Sequence, residues 1–424
     1  MGRVDTVLDW TERYPARFGG VLLLFHLILS VAMYAVACST YLTSLHDGHG
    51  FWNFAMDSRA LDQWARYGVK LLQDGGLSLW WNGDGSLASG LIAKYPHVRL
   101  ISLCYYLISP HPLSFAPVNA LTWTGTVFAV YALAGRLMPG SRRVAAAGTA
   151  IFVLMPTYLL QTTQLLKGPF YLLGVVLFAL GAAALLRSCR IWPGLALAVS
   201  GMGLSLLLRG YMLPVFLLMA FLLAFLIMTA LSGRRRLLLA AVCLVMLSVP
   251  LFRYLPGDGT GVSLYSVVSA MPDRLAQRVQ QSREAFYKYR RAGSMVDGDV
   301  VLHDGSQLLR YLPRALQIGL FSPFPSHWSW RGARLLAGVE MVVLYILMAG
   351  SVLFFFRGSV SWQLRCFLLA FSLSFILLLG MGVPVVGAIY RMRYAYLLPF
   401  VLGGVWGWRR ILSLRGERLP DRGV

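Results

Sequence analysis

The sequence predicts an all-α polytopic membrane protein with about ten transmembrane helices and amphipathic surface helices outside the membrane. Of its 424 residues, 58% are hydrophobic and only 13% are charged, whereas soluble domains carry roughly twice that charged fraction. The mean hydropathy is +0.65, and long apolar runs alternate with short basic loops. The formal charge of +21 is spread among those loops, so we expect the chain to bind a lipid bilayer and no nucleic acid.

Ten apolar runs are predicted to cross the membrane, because this assignment leaves nearly every short cytoplasmic loop rich in arginine. Both termini are then cytoplasmic, and a bacterial inner membrane is the expected location. The first run lacks a small-residue cleavage site, so it is expected to be a retained span. The runs are Phe18–Leu45, Phe115–Met138, Val144–Gln161, Pro169–Leu186, Trp192–Leu208, Tyr211–Leu231, Leu237–Leu255, Leu335–Phe356, Leu364–Val386 and Tyr394–Trp408.

The chain divides into three parts. Residues 1–255 are predicted to form an N-terminal transmembrane module, in which residues 44–114 are a long first outer loop. Residues 256–333 form an extracytoplasmic segment, and residues 334–424 form the C-terminal transmembrane helices with a basic cytoplasmic tail.

The first outer loop contains the stretch Phe54–Gly75, in which apolar residues recur at three- and four-residue spacings. This periodicity predicts an amphipathic helix that lies along the lipid headgroups. Asp57 falls in its first turn, and Asp62 is on roughly the same face. A carboxylate there suits general-base chemistry at the membrane surface, although an acid at a helix N-terminus is also favoured by the helix dipole alone.

The later apolar piece Tyr95–Pro110 is rather short for a span. We interpret it as a surface or re-entrant helix. A true crossing is the alternative, and it would turn the basic clusters that follow toward the outside.

Basic residues also fall at the predicted outer turns, where the positive-inside rule does not explain them. Lys167 follows Gln164, Arg209 precedes Tyr211, and two further arginines stand in the stretch IYRMRYAYLLP. Snorkelling at the interface is one explanation. A bound phosphate is the other, since guanidinium groups bind phosphate oxygens bidentately.

The extracytoplasmic segment contains a strongly basic helix, Asp273–Arg291, which either is a solvated face or steers anionic headgroups. Leu308–Pro325 then returns to the membrane, followed by His327 between Trp328 and Trp330. These aromatic residues suit an interface anchor or a sugar platform. The loop Asp297–Gly305 lacks the spacing of a calcium loop. The five cysteines show no metal-ligand spacing and predict no disulfide.

Taken in order, these features resemble the GT-C class of membrane glycosyltransferases, and more narrowly the protein-mannosyltransferase and aminoarabinose-transferase-like group. An acid follows the first span on a surface helix, and Tyr95-Pro96 is similar to the Tyr-Pro-Pro of that group, with His97 replacing the second proline. The stretch MPTYLLQTTQ matches the end of the third span. The resemblance covers residues 18–215, and farther on only the RMRYAYLLP stretch is similar to related envelope-polysaccharide proteins.

The resemblance implies an outward-facing enzyme that uses a polyprenyl-phosphate-linked sugar and a glycan or lipid acceptor. Asp57 matches the family's catalytic acid, and Asp62 is a backup. Many members carry a second acid where this chain has Lys167. This departure favours a divergent envelope or exopolysaccharide branch. Because the second acid is missing, no metal ligand is predicted, and a requirement for a divalent cation, Mg²⁺ or Mn²⁺, stays open.

We therefore predict that Asp57 takes the proton of an acceptor hydroxyl and that cations stabilise the leaving phosphate. Two alternatives remain: a polysaccharide polymerase or ligase of the O-antigen type, which uses a polyprenyl-diphosphate-linked glycan, and a lipid or glycan transporter. The predicted substrate-binding residues are Tyr95, Gln164, Lys167, Arg209, Tyr211, His327, Arg391 and Arg393.

Overall fold

The computed structural model describes residues 3–38, 52–86, 89–90, 92, 95–188, 191–230, 264–287, 295–328 and 332–416. The described part of the protein is 87% helical and holds no strand, with a single isolated bridge between Met295 and Val385. This confirms the predicted all-α polytopic class. The architecture is that of an integral, multi-pass membrane protein.

The helices are numbered here in chain order. They are α1 (Arg3–Arg13), α2 (Pro15–Cys38), α3 (Trp52–Asn82), α4 (Pro96–Leu107), α5 (Ala116–Leu137), α6 (Arg142–Leu154), α7 (Pro156–Thr162), α8 (Gly168–Ser188), α9 (Ile191–Leu208), α10 (Leu213–Ala230), α11 (Leu264–Tyr287), α12 (Gly305–Phe321), α13 (Gly332–Arg357), α14 (Trp362–Gly382), α15 (Val386–Met392) and α16 (Leu398–Gly416). Short 3₁₀ turns precede α5, α10 and α16, and another, Pro325–His327, lies between α12 and α13.

Seven of the described helices are long and apolar enough to cross a membrane, or eight if the bent pair α6 and α7 counts as one span. Nine of the ten predicted spans fall in the described part of the chain, and eight of these nine are found when the bent pair is counted. The predicted span Leu237–Leu255 lies outside the described residues. The predicted last span corresponds to α16, which is not apolar enough to count as a span because its second half contains Arg409, Arg410 and Arg415.

The predicted straight span Val144–Gln161 is broken into α6 and α7, which meet at an angle of 60°. The break lies at Met155, whose backbone is extended (ψ 132°). Pro156 causes this, since proline disfavours the helical conformation in the residue before it. The break leaves the N-terminal amides of α7 without partners in their own helix.

Helices α8 and α9 pack so closely that side chains could not fit between their backbones. A Cβ on Gly174 would lie 2.8 Å from the carbonyl oxygen of Gly201, and one on Gly181 would lie 2.4 Å from the amide nitrogen of Ala198. Small residues allow membrane helices to approach in this way. The antiparallel pair therefore holds the start of α8 and the end of α9 together at one end of the bundle.

A second, smaller core lies between α3 and α4, apart from the main core that α5 to α16 build. Ala65, Val69 and Leu72 of α3 pack there against Val98 and Ile101 of α4. The predicted amphipathic helix is thus confirmed, although α3 runs on to residue 82. With 12 residues, α4 is about 18 Å long. It is too short to cross a hydrocarbon core of roughly 30 Å.

In the segment between α10 and α13, α11 begins earlier than the predicted basic helix Asp273–Arg291 and contains Pro272. The predicted return helix Leu308–Pro325 corresponds to α12, which starts at Gly305 because Asp304 caps it by accepting from the Gln307 amide at 2.9 Å. The helix also ends earlier than predicted, since Pro325 lies in the 3₁₀ turn that follows α12. The loop before α12 therefore closes against its own helix N-terminus, as capping residues commonly do.

Candidate functional site

The predicted basic residues Lys167 and Arg209 lie side by side. Lys167 directly precedes α8, and Arg209 directly follows α9. The Lys167 Nζ donates to the carbonyl oxygen of Leu208, the residue before Arg209, at 3.4 Å. The close packing of α8 on α9 therefore brings two positive charges together at one end of the bundle.

Arg209 is a buried cation with unused hydrogen-bond donors. Its side chain is 7% exposed, and its guanidinium carbon lies 4.2 Å from the ring centroid of Tyr171 on α8. The Tyr171 hydroxyl is hydrogen-bonded to that of Tyr396, which fixes the ring. Within the described part of the chain, Nε and Nη1 of Arg209 have no hydrogen-bond partner. Leaving charged donors buried and unpaired is costly, so this group is prepared for an anion.

A stacked pair of aromatic rings lies at Lys167. The Lys167 Nζ lies 5.2 Å from the centroid of the Tyr95 ring, and the Trp64 ring of α3 stacks on Tyr95 with its centroid 5.8 Å away and an interplanar angle of 4°. Tyr95 stands at the start of α4 because Pro96 occupies the first helical position. The α3–α4 unit thus presents a stacked aromatic pair beside the two cations.

His97 completes this cluster and was not among the predicted binding residues. Its ring lies 5.9 Å from that of Tyr95 and is 6% exposed. Neither ring nitrogen has a hydrogen-bond partner in the described structure. Burial first, and the nearby Lys167 ammonium second, lower the pKa of the imidazole to about 3.

The two predicted catalytic acids lie on α3. Asp57 is in the first turns of this helix, and its side chain lies outside the described structure. Asp62 accepts from the Tyr105 hydroxyl at 2.7 Å and from Arg66 Nε at 3.0 Å. Tyr105 therefore joins Asp62 to α4, while Arg66 pairs with it one turn along α3. Its catalytic role, like that of Asp57, stays a prediction.

The two arginines of the RMRYAYLLP stretch differ in their surroundings. Arg391 adjoins the cluster through its backbone, whose carbonyl oxygen accepts from Gln161 Nε2 at 3.4 Å. Arg393 is fully buried. Its Nη1 donates to the carbonyl oxygens of Gly319 and Leu320, both at 2.8 Å. Its Nη2 donates to the Sδ of Met341 at 2.8 Å, so both terminal nitrogens of Arg393 are engaged within the protein.

The remaining predicted residues make other contacts. Gln164 Nε2 donates to the Leu160 carbonyl at 2.8 Å and helps to close the turn before Lys167. Tyr211 is 61% exposed beside Arg209. His327 lies with its ring 5.9 Å from that of Phe324, and no hydrogen bond or ring contact of the described residues joins it to the cluster. Trp330 lies outside the described residues.

Sequence reasoning also missed Glu340, a buried acid within the apolar helix α13. Its Oε2 accepts from the backbone amide and the hydroxyl of Thr157, at 2.9 and 2.8 Å. The carboxylate therefore caps α7 at the break before Pro156. A lone acid in the run LAGVEMVVLYILMAG was the signal, because ionisable residues within spans are costly and usually have a role.

A divalent cation does not fit the residues at the Lys167–Arg209 cluster. Its ionisable side chains are an ammonium, a guanidinium and an imidazole, whereas Mg²⁺ and Mn²⁺ prefer oxygen ligands. Nowhere among the described residues do three His, Cys, Asp or Glu side chains group closely enough to hold a metal ion.

Comparison with known proteins adds no assignment to this geometry. No model of a protein family matches the chain, and no curated protein sequence matches it significantly. The resemblance to membrane glycosyltransferases therefore stays a hypothesis that rests on short motifs.

Proposed function

We propose that the protein is a membrane glycosyltransferase that moves a sugar from a polyprenyl-phosphate-linked donor to an envelope glycan or lipid acceptor. The Lys167–Arg209 cluster faces the non-cytoplasmic side in this proposal, and the arginine-rich turns at the other end of the bundle face the cytoplasm, as the positive-inside rule requires. A contact between those turns, in which Arg187 donates to the carbonyl of Arg136, agrees with this grouping.

One observation carries the proposal: a buried guanidinium with two unpartnered nitrogens stands beside an ammonium at the end of two apolar helices. Such an arrangement suits a phosphate attached to a lipid, since the polyprenyl chain can remain in the bilayer while the charged group meets the cations. Guanidinium and phosphate form short, charge-assisted hydrogen bonds. These bonds strengthen as negative charge develops on the departing phosphate.

The stacked pair Trp64 and Tyr95 supports a sugar next to that phosphate. An aromatic ring offers a flat apolar face that can cover one face of a sugar ring. The pair belongs to α3, the helix that also carries Asp57. Donor phosphate, sugar and acceptor would then lie in a row along the α3–α4 unit.

The chemistry requires one proton acceptor and one charge stabiliser. The acceptor hydroxyl oxygen attacks the anomeric carbon, and the bond from that carbon to the phosphate oxygen breaks with its electron pair. Asp57 takes the hydroxyl proton as general base. Arg209 and Lys167 stabilise the additional negative charge on the leaving phosphate.

The test is sugar transfer by the purified protein in lipid nanodiscs. Donors are a panel of polyprenyl-monophosphate sugars and a diphosphate-linked oligosaccharide, and the products are followed by radiolabel. We expect Arg209→Ala to lower kcat/KM at least about 100-fold, the usual effect of removing one transition-state donor, and Arg209→Lys to restore only part of this loss. Asp57→Asn is expected to abolish transfer.

The matched control is Arg187→Ala, which removes an arginine from the opposite end of α8 and should leave kcat/KM unchanged. Full activity of both Arg209→Ala and Asp57→Asn would refute the roles proposed here. Transfer from the diphosphate-linked oligosaccharide alone would identify a polymerase or ligase instead.

A further inference from the structure

The buried His97 has no role in the proposed chemistry, although its unpartnered ring nitrogens need an explanation. Its two ring nitrogens lack partners within the described structure, although the ring is 6% exposed. Buried polar atoms in folded proteins nearly always have a hydrogen-bond partner. An apolar side chain would satisfy the packing of α4 at lower cost. A ligand that supplies a hydrogen-bond acceptor would resolve the imbalance.

The charges around His97 show which ligand this is. His97 and Lys167 both pack against the Tyr95 ring, the imidazole at 5.9 Å and the ammonium at 5.2 Å, centroid distances in both cases. Arg209 stands next to Lys167, through the Leu208 carbonyl that Lys167 reaches. Each of these three side chains can donate hydrogen bonds to an anion, and the charges of Lys167 and Arg209 would repel a positively charged ligand. The ligand is therefore an anion.

Three other charged side chains of α3 and α4 are engaged elsewhere. Asp62 and Arg66 of α3 pair with each other at 3.0 Å, near Tyr105 at the far end of α4. Arg99, on α4 itself, stacks on Trp81 at 4.4 Å and donates to its carbonyl at 2.8 Å. Lys167 is therefore the charge that acts on His97 in the unliganded protein.

We propose that His97 is a third ligand of a phosphodiester anion bound at Lys167 and Arg209, and that it binds this anion in its protonated form, so that anion binding takes up a proton. Without the anion, burial and Lys167 keep the imidazole neutral. A bound anion neutralises the Lys167 charge and places negative charge beside the ring, which favours the imidazolium. The anion site thereby becomes stronger as the pH falls. This inference rests on the phosphate site of the proposed function and adds its pH dependence.

The test measures anion affinity against pH with a probe whose own charge stays constant. Dibutyl phosphate is a monoanion throughout the range from pH 5.5 to 8.0. Its binding to the full-length protein in nanodiscs can be followed by isothermal titration calorimetry and by proton uptake in weakly buffered solution. We expect the affinity to rise between pH 7.5 and 5.5, with a slope that approaches tenfold for each pH unit, and binding to consume close to one proton at the lower end.

Two variants make the test specific. His97→Asn keeps a polar side chain that does not titrate, and it should bind dibutyl phosphate with an affinity independent of pH. His111→Asn changes a histidine that packs on Tyr34 instead, at 5.0 Å, and should keep the wild-type slope.

A wild-type affinity that is flat with pH, or a slope that survives in His97→Asn, would overturn the role of His97. No binding at any pH would overturn the phosphate site itself, and the proposed function with it. Proton-linked binding without sugar transfer from any donor would support this inference and refute the proposed function alone.

Discussion

Glu340 offers the sharpest test of how the break between α6 and α7 is stabilised. It is 3% exposed, and its Oε2 accepts two hydrogen bonds from Thr157, one from the amide at 2.9 Å and one from the hydroxyl at 2.8 Å. Arg393 also attracts the carboxylate. We therefore expect Glu340 to act both as the cap of α7 and as the counter-charge of a fully buried arginine.

The two roles differ in magnitude, so variants can separate them. Thr157→Val removes one hydrogen bond to a charged acceptor and should lower the free energy of unfolding by about 1.5–3 kcal/mol. Glu340→Gln keeps an acceptor oxygen but leaves Arg393 without its counter-charge, and the expected loss is about 3–5 kcal/mol. Thr157→Ser keeps the hydroxyl and serves as the control, with a loss under about 1 kcal/mol.

The assay is reversible unfolding by sodium dodecyl sulfate in mixed micelles at pH 7.4, monitored by circular dichroism. A double-mutant cycle of Thr157→Val with Glu340→Gln isolates the pairwise interaction. The reasoning is refuted if Glu340→Gln unfolds within about 0.5 kcal/mol of the wild type, the usual range of a neutral surface change, or if the two substitutions are additive.

Two further predictions concern packing and pH. Gly181→Ala places a methyl group 2.4 Å from the Ala198 amide nitrogen, so we expect a loss of about 1–3 kcal/mol in the same titration, whereas a Cβ on Gly203 meets nothing within 4 Å and Gly203→Ala should be neutral. The Arg314 guanidinium holds the pKa of Asp297 below its usual value through two hydrogen bonds of 2.9 Å. The Asp297 carboxylate therefore stabilises the fold above its ordinary pKa of about 4, and this contribution disappears as the pH falls through the lowered value. Asparagine tolerates the positive φ of 51° at this position, so Asp297→Asn should lower the free energy of unfolding by about 1 kcal/mol at pH 7. The difference from the wild type should vanish in acid. An equal difference at pH 7 and pH 3 would contradict the charge-based explanation.

In helix α3, apolar periodicity predicts the buried face correctly but not the end of the helix. The spacing of its apolar residues predicts the buried face, and Ala65, Val69 and Leu72 are buried. The predicted end at Gly75 is too early. Gly76 adopts a left-handed φ of 64°, which only glycine reaches without strain, and the chain continues as a second helical piece to residue 82. A glycine pair indicates a bend, but it does not reveal whether the helix resumes.

The sequence predicts at which end of the bundle the residues of the candidate site lie, but not which of them are in contact. Alternating spans place Lys167 and Arg209 at one end of the bundle, and this follows from the run lengths alone. Their contact depends on the close approach of α8 to α9, which glycines such as Gly174 and Gly201 permit. Glycines are common in membrane helices, so a sequence without structure does not identify which of them meet.

The arginines at the predicted outer turns need partners other than a cytoplasmic lipid headgroup, and the end of α12 supplies partners for one of them. The last four carbonyl groups of a helix have no partner in their own helix. In α12 the Ile318 carbonyl accepts from the Ser322 amide at 3.1 Å, and the next two accept from Arg393 at 2.8 Å each. The Phe321 carbonyl accepts from the Tyr345 hydroxyl at 2.7 Å. Arg393 is therefore a helix cap, which also suits the negative end of the helix dipole.

Arg283 has the same explanation at the end of α14. It is fully buried and donates to the Met381 carbonyl at 3.1 Å and to the Tyr311 hydroxyl at 3.3 Å. A positive charge at a predicted outer turn is thus not by itself a sign of a ligand, since helix ends also attract cations. Arg209 differs because it follows the end of α9 while its Nε and Nη1 meet no carbonyl in the described structure. Arg283 and Arg393 also have an Nε without a partner, but their Nη1 atoms donate to carbonyl oxygens, whereas the Nη1 of Arg209 has no partner in the described structure. This unpartnered terminal nitrogen, rather than the charge, distinguishes Arg209 from the two capping arginines and makes Arg209 and Lys167 the place where an anion should be sought first.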